Sequence, residues 1–298
     1  MAAIAKDGDI ISVAELTYTY KGQSRPAVDG VSFTVARGEI FGLLGPSGAG
    51  KSTTQKVLTR QQRHFGGQVS IMGKPLETWG SDYFERIGVG FELPNHYLKF
   101  TARENLSFFA SLYARPSRDP RDMMAMVGLE DYADKKVETF SKGMRMRLNF
   151  VRAIQHDPEL IFLDEPTAGL DPVNAGIVKS LIADLARAGK TVVLTTHNMN
   201  DVDQLCDRIS FMVDGRFAAL DTPQALKSAH GRRMVAVGTA DAQMVEFPLD
   251  GLGDDPSFLA LLRSGTVERI HSQEASLDKV FTNVTGHRLD QAEPVAAQ

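Results

Sequence analysis

The stretch GPSGAGKS, Gly45 to Ser52, limits what this chain can fold into more than any other part of it. It follows the apolar run IFGLL and leads into STTQKVLTRQQ, a stretch with helical character. Glycines at this spacing let successive backbone N–H groups turn inward around phosphate oxygens, and a helix that starts there adds its partial positive charge. Lys51 can then reach β- and γ-phosphates, and the Ser52 hydroxyl can meet Mg²⁺. The expected phosphate cradle is Gly45, Pro46, Ser47, Gly48, Ala49, Gly50, Lys51, Ser52 and Thr53. A glycine-rich turn with an accidental lysine is the competing reading, and the strand–loop–helix context argues against it.

Such a loop needs a parallel sheet behind it, and the pattern supplies one. VSFTV, IFGLL, RIGVGF, LIFLD, TVVLTT, RISFMVDG and RFAAL read as strands, and GGQVSIMGKPL as a hairpin. LIFLD is apolar throughout its first four positions, as expected of a strand buried on both faces. Helices are expected where caps announce them: Thr101 with Glu104 as a capping box, Asp119 before Pro120, and Asp171 before Pro172. Ile177, Leu181 and Leu185 make an apolar stripe on the last of these. The expectation is an α/β layer fold with a helical insert at about residues 92–157. Residues 9–225 form the main domain and 226–288 a smaller extension of short strands with a last helix capped by Ser276. Residues 289–298 are expected as a disordered tail.

Two carboxylates close the LIFLD strand. Asp164 suits a direct or indirect Mg²⁺ contact opposite Ser52, and Glu165 can face the γ-phosphate and orient a water for attack. Adjacent carboxylates at the end of a buried strand are costly without a cation or hydrogen-bond donors, which favours a functional reading over a solvated strand end. His197 ends TVVLTT, where it can reach the γ-phosphate or the water; a purely structural histidine is the alternative.

Composition excludes some classes. The net charge of −4 argues against a general nucleic-acid binder. A single cysteine, Cys206, allows no internal disulfide and fits a reducing compartment. No run of about 18 apolar residues is present, so no membrane span is expected and any membrane role needs a partner.

FSKGMRMRL, just before the Asp164 strand, completes a set of motifs that resembles the ATP-binding-cassette (ABC) family. Phe140, Ser141, Lys142, Gly143 and Met144 fill the family's signature positions, where L-S-G-G-Q is usual. Lys142 and Met144 depart from that form and resemble the branch that powers ABC-2-type exporters. The GFELPNH stretch is similar to that of bacterial drug-export ATPases, including fluoroquinolone-type exporters. The resemblance implies a P-loop NTPase (RecA-like) core with a helical ABC signature subdomain and a small C-terminal α+β extension. It implies ATP and Mg²⁺ as ligands and ATP hydrolysis as the activity. It puts Tyr20 against adenine, with Tyr18 as the fallback, and Asp171 in a loop that touches an opposite subunit. It gives Ser141 and Gly143 a nucleotide bound by another copy, because each site lies between one chain's phosphate loop and the other's signature.

Glu92 stands where the family usually has glutamine, in a loop that approaches Mg²⁺ and moves with a permease. Glu92 is therefore expected as a metal-linked coupling residue, against the alternative of a carboxylate turned to solvent. A homodimer is favoured, with pairing to a similar chain as the alternative. The expected partner is a separate transmembrane permease, on the cytoplasmic face of a bacterial membrane, with Phe91, Tyr97, Leu98, Phe100, Phe108 and Phe109 as candidate apolar contacts. The rivals are a cassette ATPase acting in translation or DNA maintenance, a P-loop kinase or GTPase, and a regulatory module that moves no cargo.

Overall fold

A computed structural model describes residues 8–231, 233–241, 243–273 and 275–287. The tail expected at 289–298 lies outside them. The chain divides into two units, 1–220 and 221–298. The division falls five residues before the expected end of the main domain at 225, because the helix after Thr222 belongs to the second unit.

The first unit opens with β1 (Asp9–Tyr18) and β2 (Val28–Ala36), then β3 (Ile40–Leu44), α1 (Lys51–Leu58), and the hairpin of β4 (Gly66–Ile71) and β5 (Lys74–Pro75). β6 (Ile87–Gly90) leads to the helical part: α2 (Ala102–Ala110), α3 (Pro120–Ala125) and α4 (Lys142–Ile154). Then come β7 (Leu160–Asp164), α5 (Pro172–Arg187), β8 (Thr191–Thr196), α6 (Met199–Leu205), β9 (Arg208–Val213) and β10 (Arg216–Asp221).

Strands β2-β1-β4-β5 form an antiparallel sheet, and β10-β9-β3-β8-β7-β6 a second sheet whose five strands β9, β3, β8, β7 and β6 run parallel. One apolar core joins the sheets. Val13, Phe33 and Val35 share one buried cluster with Phe41, Leu43, Phe162 and Val193, and with Val57 and Leu58 of α1. The rings of Phe33 and Phe41 stack at 5.3 Å across the two sheets.

The caps behave as their residue types dictate. Thr101 and Glu104 make both bonds of the capping box, Asp119 caps α3, and Asp171 accepts from Val173 and Asn174 at the start of α5. On α5 the deepest positions are Val178 and Ile182, while Ile177, Leu181 and Leu185 are half-buried. Adjacent residues are about 100° apart on a helix, so both sets straddle one face. Arg152 of α4 is only 7 % exposed.

The second unit contains α7 (Pro223–His230), β11 (Met234–Thr239), β12 (Met244–Pro248), α8 (Pro256–Arg263), β13 (Val267–Gln273) and α9 (Leu277–Thr285). Its antiparallel sheet has the order β12-β11-β13, and Val235, Val237, Phe247 and Phe258 form a small core. Ser276 caps α9, which buries Leu277, Val280 and Phe281.

Candidate active site

Parallel register brings the site together. Leu44 pairs with Thr196, Asp164 with Thr195, and Gly90 with Leu163. The ends of β3, β8, β7 and β6 therefore share one edge, and the residues just past them are Gly45, His197, Glu165 and Glu92. This is the carboxyl edge of a parallel sheet, where such folds bind ligands.

A cleft of ≈ 250 Å³ opens there, lined by Ser47, Gly48, Ala49, Gly50, Lys51, Ser52, Thr53, Glu92, Asp164, Glu165 and His197. Two glycines of the phosphate loop are required by space as well as by conformation. A Cβ on Gly45 (φ +156°) would lie 2.1 Å from the Met212 carbonyl oxygen, and one on Gly50 (φ +107°) 2.3 Å from that of Ala27. Gly50 is the N-cap of α1 and offers no side chain, so no cap bond occupies the first-turn N–H groups. Lys51 is 9 % exposed and donates to the carbonyls of Gly45 (2.7 Å) and Pro46 (2.9 Å). Burial pushes its ammonium below the usual lysine range, opposed by the charges of Glu165, Asp164 and Glu92.

Facing it, Asp164 accepts a hydrogen bond from the Thr195 hydroxyl, which also lies 3.3 Å from Gln55 Oε1. Glu165 has φ +48°, a left-handed backbone uncommon outside glycine, and its N–H donates to Thr195 O at 2.9 Å. Three donors hold its carboxylate: Thr196 Oγ1 to Oε2 at 2.9 Å, and the His197 N–H (3.1 Å) and Nδ1 (2.6 Å) to Oε1. Because the carboxylate accepts, Nδ1 carries the hydrogen and the neutral ring keeps Nε2 as its acceptor. The Glu165 side chain is 12 % exposed, that of His197 67 %. Glu92 is exposed at the cleft wall.

Hydroxyl and carboxylate oxygens are the donors that a hard divalent cation takes. Among the described residues no three His, Cys, Asp or Glu side chains are grouped to hold a metal alone. Ser52, Asp164 and Glu92 thus fit a cation only if ligand oxygens complete its shell.

Other expected residues stand apart from the cleft lining. Tyr20 is tied to it through a 3.1 Å hydroxyl contact with Thr53, and Tyr18 meets Tyr20 edge-on at 5.0 Å. Ser141 caps α4 by accepting from Met144 N at 3.2 Å, and Asp171 caps α5. A Cβ on Gly143 would stand 3.4 Å from Leu170, and one on Gly169 3.0 Å from Lys142, so the two caps are neighbours. Two side chains that hold the carboxylates of Asp164 and Glu165 escaped the sequence reading, Thr195 and Thr196. The available signal was a pair of hydroxyls in a run whose six positions are all buried.

Among the described residues no helix is long and apolar enough to cross a membrane. Residues 28–168 match a family model described as ABC transporter, and residues 235–274 one described as the fluoroquinolone efflux ABC transporter C-terminal domain. A fluoroquinolones export ATP-binding protein of Mycobacterium tuberculosis is 56% identical over 285 residues, covering 94% of this chain and 95% of that one. A Nod factor export ATP-binding protein I of Rhizobium meliloti is 33% identical over 318 aligned positions, covering 96% and 90%. An ATP-binding cassette solved as a dimer in a post-hydrolysis state with ADP and Pi superposes with a TM-score of 0.66. It is 26% identical and covers 71% of this chain and 98% of that one.

Proposed function

Because this chain belongs to the ABC transporter family, as an ATP-binding and ATP-hydrolysing subunit of an export system, we propose the following division of labour in its cleft. Lys51 and the uncapped N–H groups at the start of α1 hold the β- and γ-phosphates. Tyr20 stacks against adenine, its hydroxyl tether to Thr53 keeping the ring beside the phosphate loop. Glu165 orients the attacking water and takes its proton, and His197 meets the γ-phosphate or the water through Nε2. When bound, Mg²⁺ neutralises charge on the β- and γ-phosphates, held by Ser52, Asp164 and Glu92.

The observation that carries this reading is the fixed carboxylate of Glu165, held by three donors at the wall of the phosphate cleft. A group already oriented has little reorganisation to undergo during the reaction.

Ser141, Gly143 and Asp171 are assigned to the nucleotide of a second copy, packed head to tail. This is supported by their absence from the lining of their own chain's cleft and by the dimeric state of the similar cassette. A homodimer suffices because every site position is filled; pairing with a similar chain is the alternative.

The membrane partner is a separate permease that meets the helical part and holds this chain at the cytoplasmic face. An exposed aromatic group supports that surface: Tyr97 meets Phe100 at 5.3 Å and Phe108 at 5.0 Å, with Phe91 and Leu98 also exposed. Phe109, expected in the same set, also packs on Tyr97 at 6.1 Å. The cargo is a drug of the fluoroquinolone class, a reading supported by the 56% identical relative and the efflux C-terminal model.

Affinity purification from native membranes tests the partner, with turnover of ATP measured on the same material. The expected result is one co-purifying transmembrane protein and magnesium-dependent phosphate release. Recovery with ribosomes or DNA and no membrane protein would overturn the permease. Unchanged fluoroquinolone susceptibility after deletion would overturn the cargo.

A further inference from the structure

The loop that carries Glu92 is held by a buried charge. Arg152 of α4 is 7 % exposed, and among the described residues no carboxylate pairs with it. Its two terminal nitrogens serve two acceptors: Nη1 donates to Asn95 O and Nη2 to Asn149 Oδ1, both at 2.6 Å. The guanidinium also lies over the Phe109 ring, 4.5 Å from its centre. Burying a guanidinium without a counter-charge is costly, so a residue type kept there calls for an explanation in what it holds.

Asn149 continues the chain of bonds. Its Oδ1 accepts from Arg152, which fixes Nδ2 as the donor, and Nδ2 donates to Phe91 O at 2.8 Å. The two carbonyls held in this way, those of Phe91 and Asn95, bracket Glu92. Below the loop, α4 lies in direct contact with β6, since a Cβ on Gly88 would come within 2.1 Å of Ala153 O. Strand β6 and the loop after it are thus attached to one face of one helix.

We propose that Asn149 and Arg152 are positioning residues for Glu92: they set where its carboxylate stands in the phosphate cleft without touching nucleotide themselves. The inference rests on the reading of that cleft as an ATP site. One consequence follows from the helix itself. α4 begins at the Ser141 cap, so the end assigned to a second copy's nucleotide and the clamp on Glu92 are parts of one rigid element of 13 residues. A shift of the Ser141 end moves Glu92 with it.

Arg152→Met keeps the stem and removes the donors, a change that buried ion sites often tolerate without unfolding; Asn149→Ala is the second variant should it not fold. Hydrogen exchange on the intact chain reads the clamp independently of turnover. Amides of residues 91–97 should exchange about tenfold faster or more in either variant, with those of residues 45–52 unchanged. Turnover at limiting Mg²⁺ should fall roughly threefold to tenfold, with the maximal rate within about threefold of wild type, since the loss is one of Glu92's position. In a Glu92→Ala background the same substitutions should change turnover by less than about twofold, because residues acting through one another are not additive. Unchanged exchange of the loop would overturn the proposal, and so would an equal loss of turnover in the Glu92→Ala background. A wild-type chain that turns over no ATP would instead overturn the reading of the cleft, while the exchange result would still judge the clamp.

Discussion

Two helix starts in this molecule are built alike and left in opposite states. At α1 the cap residue is Gly50, which offers no side chain, and a lysine with three carboxylates stands in the same cleft. At α4 the cap is Ser141, whose hydroxyl already accepts from Met144 N, and the cleft of its own chain does not include it. A helix start draws anions through its free N–H groups and its dipole. The first has those groups open and the chemistry opposite them; the second has the anion-seeking end and no chemistry. On the proposed reading one chain holds two halves of a site, and each prediction below either breaks that division or sharpens it.

The largest effect should come from the open end. Glu165→Gln removes the proton acceptor while keeping the length and the donors around it, and should lower turnover by about 10²–10⁴-fold with MgATP binding retained. Phosphate release and nucleotide binding on the same sample check it; near wild-type turnover would move the base elsewhere. The capped end comes next. Ser141→Arg leaves the chain's own cleft untouched, so nucleotide should still bind. Turnover should nevertheless drop roughly 10²-fold, because a second copy cannot close on a bulky cation. A hydrolysing Ser141→Arg chain would show that one cleft works alone and end the two-halves reading.

Much of this was legible beforehand, and unevenly. The phosphate loop reads clearly because its glycines are set by backbone geometry, which neighbours cannot alter: Gly45 and Gly50 fill spaces a Cβ cannot enter. The caps at Thr101, Asp119 and Asp171 read for a similar reason, since their bonds are made within three residues. Contacts across strands and helices did not read. Thr195 meets Asp164 only through the register of β7 on β8, and Arg152 looks like one more cation on a basic helix until that helix is laid against β6. Strand β1 was obscured by its bulge around Glu15, whose φ of +51° interrupts the alternation. Helices α7 and α8 carried readable signals, Thr222 before Pro223 and Asp255 before Pro256, which the strand-like pattern around them outweighed.

Acid should separate the two ends by stability. His96 sits in the loop held by α4, its Nε2–H donating to Arg145 O at 3.1 Å. Burial, with the Arg152 charge adding to it, pushes this histidine from 6.5 down to about 4. The folded chain keeps it neutral where the unfolded chain takes up a proton, so its contribution is whole above pH 6.5 and is lost as pH falls towards 4. The loss amounts to about 3 kcal/mol. Denaturant midpoints of wild type and His96→Gln across that window check it. The wild type should lose stability more steeply with acid, and parallel curves would show that His96 is not the group responsible.

The smallest effect, and the one that bears most on the boundary between the two ends, belongs to Glu92. It stands in the cleft of α1 but is carried by a loop fastened to α4, so it is the one site residue answerable to both. A carboxylate there makes three acidic side chains around one lysine. Without a cation that charge opposes a triphosphate; with one it supplies an oxygen of the kind Mg²⁺ takes. Glu92→Gln keeps the length and the loop, because the clamped groups are the carbonyls of Phe91 and Asn95 and not its own side chain. It should raise the Mg²⁺ concentration needed for half-maximal turnover by about threefold to tenfold and tighten metal-free ATP binding by a similar factor, the size expected of one partly exposed charge. The maximal rate should stay within about threefold of wild type, since Glu165 and its three donors are untouched. The two shifts have opposite signs, and that is what makes the test discriminating. A general loosening of the cleft would weaken both metal use and metal-free binding, whereas an unchanged Mg²⁺ titration would mean the carboxylate faces solvent and the loop couples through its backbone alone.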